Sequence, residues 1–135
     1  MFVLGLLSFQ FSGCAIDRHA IRQDDQEKAM LQTNATLYWQ GRRWSIPSRS
    51  IQFYEDPVVR ARMEGEIKSS AVRFTEVTIS HVQLHPKEQF KVSDWLRTGT
   101  VFVRTEGFGN DNLLRVNEIE QKWYRNKDGW WIDAE

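Results

Sequence analysis

The chain has little of several things, and each shortage excludes something. One cysteine in 135 residues leaves no internal disulfide and no thiolate metal site. Three prolines and eight glycines are too few for a low-complexity or collagen-like chain. There is no surplus charge of either sign, since 18 Lys and Arg face 18 Asp and Glu. Electrostatic nucleic-acid binding needs a basic excess, so that class is set aside. The balance also holds locally: residues 15–70 carry nine positive and eight negative side chains, and residues 71–135 carry nine and ten. No basic arm or acidic tail exists. No internal repeat is visible, and no apolar run reaches the roughly 20 residues that cross a bilayer as a helix. What is present is a 41% hydrophobic composition with six Trp and eight Phe. That is enough for a packed core and rules out wholesale disorder. The length supports one domain.

Residues 1–13 contain no charged side chain, and Cys14 ends this apolar run. The run has the length of a signal-peptide core closing on small residues. Phe11-Ser12-Gly13-Cys14 resembles the lipobox of bacterial lipoproteins. Small residues there admit a peptidase to the bond before an acylated cysteine. The resemblance implies a signal peptide over 1–13, incomplete at its start because no basic residue precedes the run. It also implies a lipidated Cys14, a short tether over 14–17, and a domain from 18 to 135. With Ala15 and not Asp next in line, the sorting rule of such lipoproteins implies the outer membrane, periplasmic face. A lipid-modified cysteine carries more than one acyl chain, which is what stable anchoring requires. The other reading is a core cysteine at the end of a buried N-terminal element.

Residues 18–38 lack Gly and Pro and are rich in helix formers. Leu31, Ala35, Tyr38 and Trp39 recur at i, i+4, i+7 and i+8, one face of a helix that Gly41 is placed to stop. Ser45, with Pro47 behind it, reads as the cap of a short second helix that turns Ile51 and Tyr54 inward. A third short segment covers Val58–Lys68. From Ala71 the apolar period becomes two, with slips of phase at 75–76 and 80–81 that a bulged or strongly curved strand allows. Further strands are expected over Gln89–Arg104, Leu113–Arg125 and Trp130–Asp133, the last two joined by an Asp128-Gly129 hairpin. The fold class is therefore α+β: helices first, then a four-strand antiparallel meander.

A long first helix with Ala35, Tyr38, Trp39 and Gly41 near its end, and a last hairpin holding Glu118–Tyr124, Asp128-Gly129 and Trp130-Trp131-Ile132, resemble the nuclear transport factor two-like superfamily. The likeness covers about residues 18–134. It implies a cone-shaped domain, related in outline to cystatin, whose bent sheet wraps the long helix and leaves a pocket at its open end. Many members are small bacterial lipoproteins without known activity, and that subset fits best.

The candidate pocket or interface residues are Tyr38, Trp39, Trp95, Glu118, Trp123, Trp130 and Trp131. Neighbours in a strand face opposite sides, so Trp130 and Trp131 cannot share one core. The isomerases of this superfamily set a carboxylate base near a Tyr and a protonated Asp. Tyr38, Tyr54, Asp94 and Glu118 have the right types but match no motif residue by residue, and no catalytic residue is assigned. His81 and His85 would stand roughly 13 Å apart along a strand, too far for one zinc ion. No metal and no cofactor is expected. Trp39-Gln40-Gly41-Arg42-Arg43-Trp44 reads as a helix-end staple with solvated arginines ahead of a single-strand nucleic-acid or headgroup contact. The expected protein is thus a non-enzymatic binding or assembly module, held to the membrane at Cys14. Its partner would be another envelope protein, a second copy, or a small apolar ligand. The alternative is an isomerase- or dehydratase-type enzyme with a carboxylate and a tyrosine in the cone.

Overall fold

A computed structural model describes residues 14–86 and 96–134, with side chains from residue 21 onward. Among these described residues three helices precede four strands: α1 Cys14–Arg43, α2 Pro47–Ile51, α3 Pro57–Ser69, β1 Arg73–Leu84, β2 Arg97–Phe108, β3 Leu114–Asn126 and β4 Gly129–Ile132. The strands form one antiparallel sheet in the order β1-β2-β3-β4. This is an open α+β layer pair, with α1 laid over one face of β1 and β2.

α1 runs past Gly41, which lies inside the helix and does not stop it. A Cβ at Gly41 would collide with the Ser50 hydroxyl and sit 2.9 Å from Arg49 Cβ, so the glycine admits α2 against the helix. Termination falls at Ser45, whose φ of 54° is left-handed. The Ser45 N–H donates to the Arg42 carbonyl and the Ile46 N–H to the Gly41 carbonyl at 2.8 Å, the paired closing bonds of a left-handed helix end. Ser45 is therefore not the cap of α2. Ile46 holds that position, without a side-chain hydrogen bond, and Pro47 opens the helix. α3 begins on Asp56, whose carboxylate accepts the Val58 N–H at 2.8 Å.

α1 lies antiparallel to β1. Its Trp39 packs edge-on against Phe74 near the start of β1, and its Leu31 reaches Gly99, the partner of Leu84 at the other end. The core consists of Leu31, Ala35, Tyr38 and Trp39 from α1, Phe53 and Tyr54 after α2, Val82, Val101, Val103 and Trp123 from the sheet, and Trp130 and Ile132 from β4. The β1–β2 register shifts between Phe74 and Glu76 and again between Ile79 and His81. These are the two slips of apolar phase, now seen as bulges. The extra residues Thr75 and Ser80 turn their hydroxyls onto the Glu106 and Phe102 carbonyls, at 3.3 and 3.1 Å. Along β3 the apolar residues also change phase, from Leu114 and Val116 to Ile119 and Trp123, but without a bulge, because the β2–β3 register is unbroken. Leu114 and Val116 lie exposed on the face turned away from α1.

Candidate functional site

The helix end and the sheet together enclose aromatic residues. Tyr38 meets Trp39, Tyr54 and Trp123 edge-on, at ring centroid distances of 5.2, 6.1 and 6.4 Å. Trp39 and Trp123 both donate their indole N–H to Gln121 Oε1, at 3.1 and 3.0 Å. The hydroxyls of Tyr38 and Tyr54 are hydrogen-bonded at 3.0 Å, and Arg42 Nη1 donates to the Tyr38 oxygen at 3.2 Å. Burial, reinforced by the neighbouring Tyr38, pushes the Tyr54 hydroxyl well above the usual phenol range. It stays protonated, and so serves as a hydrogen-bonding strut and not as a base. Ser50, fully buried, donates to the Tyr38 carbonyl at 2.7 Å.

An enzyme site of the isomerase type would place a buried carboxylate beside these tyrosines. Among the described residues the one buried carboxylate is Glu27, three helical turns N-terminal to Tyr38. Glu118 is exposed and pairs with Arg104 across the strands, so the sheet lies between it and Tyr38. Asp94 and Trp95 fall outside the described residues. The seven candidates therefore divide. Tyr38, Trp39, Trp123 and Trp130 enter the core, Glu118 stands on the outer face, and Trp131 is half-buried with its N–H on Asn126 Oδ1 at 2.9 Å. Trp130 and Trp131 do face opposite ways. The Trp130 N–H is buried without a partner among the described residues.

Sequence reasoning missed a buried charge cluster. Glu27 accepts from Arg97 Nη1 at 3.2 Å and from Arg125 Nη1 at 2.9 Å. Arg97 also donates to Asp24 at 2.7 Å and through Nε to the His85 carbonyl at 2.8 Å. Arg97 and Arg125 are direct cross-strand partners, so Glu27 stands between like charges that would otherwise repel. The signal was available: Glu27 precedes Leu31, Ala35 and Trp39 at steps of four, which sets a carboxylate in the buried stripe. The cluster fastens α1 to β2 and β3 and offers no open face for chemistry.

The open concavities lie elsewhere. A cleft of about 230 Å³ between the end of α1 and β1 is lined by Thr36, Trp39, Gln40, Arg43, Trp44, Val77 and Ile79. Trp44 is 63% exposed and carries the Arg43 guanidinium 4.9 Å from its ring centroid. The other, about 490 Å³, lies on the outer face of the sheet, where His81 leans on Phe102 at 5.8 Å with Glu118 and Glu120 alongside. His85 instead bonds Thr100 Oγ1 at 2.8 Å, so the two histidines serve different neighbours. Among the described residues no three His, Cys, Asp or Glu side chains group as metal ligands, and no helix is long and apolar enough to cross a membrane. No protein-family model and no curated protein matches the chain.

Proposed function

We propose that the protein is a lipid-anchored binding or assembly module of the bacterial envelope, attached through Cys14 and built on a cone of the nuclear transport factor two-like kind. One observation carries the reading: over the described residues, helix α1 runs unbroken from Cys14 to Arg43. The 13 residues from Cys14 to Glu27, the first buried side chain among those described from residue 21 onward, amount to about 20 Å at the helical rise. A helix of that kind is a stiff spacer, suited to holding a domain clear of an anchored cysteine. Two further features support binding over catalysis. Trp39, Tyr38 and Trp123 fill the ground under the sheet where a substrate pocket would sit, and the remaining concavities are open to solvent.

The test is crosslinking in place. The full chain is expressed with a photoreactive residue at exposed position 40 or 81, irradiated in intact cells, and the envelope fraction is analysed. A discrete adduct of one size from at least one position is the expected result. A chain that fractionates as soluble and yields no adduct from either position contradicts the reading.

A further inference from the structure

We propose that the Glu76–Ile79 stretch of β1 is a docking edge for an extended segment of a partner protein that carries a large apolar side chain between acidic ones. This rests on the binding-module reading and names its partner chemistry. β1 pairs with β2 on one side, and no described strand lies on the other. An unpaired edge offers main-chain donors and acceptors to an incoming strand, and pockets beside it supply the selectivity. Here the bulges at Thr75 and Ser80 bound the regular stretch. They block a full-length pairing of two β1 strands and leave a segment suited to a short peptide.

The faces of this stretch differ. Val77 and Ile79 point to the α1 side and line the 230 Å³ cleft together with Trp39 and Trp44. That volume is below the roughly 300–1,000 Å³ of small-molecule pockets, and it suits a single large side chain. The lining holds one charged residue, Arg43, and no carboxylate. Arg42 stands next to it, 5.8 Å from the Phe74 ring centroid. Glu76, within the stretch, turns with its partner Glu106 to the opposite face, so on the cleft face the charge complements acidic residues two positions either side of the apolar one, which a strand places on the same face.

The probe is a synthetic heptapeptide of pattern Thr-Glu-Thr-Phe-Thr-Glu-Thr, compared with its Lys-for-Glu counterpart, against the full chain in detergent micelles. Amide hydrogen exchange and titration calorimetry are the readouts. The account expects the outward-pointing amides of the Glu76–Ile79 stretch, which fall on alternate residues, to gain exchange protection with the acidic peptide only. Trp44→Ala, at an exposed position that leaves folding intact, should weaken binding at least tenfold, and Arg43→Glu should transfer the preference to the Lys peptide. Three results would overturn the proposal: edge amides already protected in the free chain, affinity indifferent to both substitutions, or no binding at millimolar peptide. None of these bears on an adduct from position 81, which lies in the other concavity on the outer face of the sheet, so the module reading and the edge assignment fail separately.

Discussion

Replacing Glu27 by Gln isolates what joins the long helix to the sheet. The Glu27 carboxylate is 7% exposed, as is the Arg97 side chain, while Arg125 is 32% exposed. Gln keeps the shape and one acceptor oxygen but removes the charge between two guanidiniums that face each other across β2 and β3. Removing one partner of a buried pair costs about 3–5 kcal/mol. The partial exposure of Arg125 and the remaining Asp24 contact to Arg97 place this case near the lower end, about 3 kcal/mol. For a domain of this size each kcal/mol moves the midpoint by about 3–5 °C, so thermal unfolding should fall by about 10–15 °C. Asp24→Asn removes a contact to a carboxylate that is half exposed and should cost less than about 1 kcal/mol. Circular-dichroism melts and urea titrations of both variants measure this. A Glu27→Gln penalty no larger than that of Asp24→Asn would refute the reasoning.

Other outcomes follow from the core. Trp123→Ala removes a ring that is 1% exposed and touches Tyr38 and Phe53; urea denaturation should show a loss of about 3–5 kcal/mol. Gly99→Ala sets a Cβ 2.7 Å from Leu31 Cδ2 and 3.1 Å from the Gln83 carbonyl, and chemical denaturation should read about 1–3 kcal/mol of overpacking. The raised Tyr54 hydroxyl binds its proton more tightly folded than unfolded. Its contribution is therefore complete below the ordinary phenol value of about 10 and is lost as pH rises beyond it toward the folded value. Tyr54→Phe should flatten the fall in stability above pH 10, as followed by urea midpoints at stepped alkaline pH.

The sequence made some of this legible because the physical constraint is local. Two slips of apolar phase became two bulges, since a strand covered on one face by α1 must keep its apolar residues turned to that face. At Leu114 and Val116 the apolar phase changes too, but there the strand does not bulge and simply turns exposed apolar residues outward. Gly41 looked like a stop because glycine ends helices, yet here it answers a close approach by α2 that only the tertiary packing reveals. Ser45 looked like a cap and proved to be the left-handed residue that closes α1. Tyr38, Trp39 and Trp123 were legible as inward residues, but not that they would fill the space where a pocket was expected. The cleft beside Trp44 depends on where the helix end meets β1, a long-range placement no local pattern encodes.

The attachment at Cys14 is the claim on which the rest of the functional account depends. Labelled palmitate should be supplied to cells expressing the protein with its native upstream codons, beside the Cys14→Ser variant. Label on the wild type and none on the variant is the predicted result. A wild type that takes no label and fractionates as soluble contradicts the account, and the enzyme alternative would then be the reading to screen.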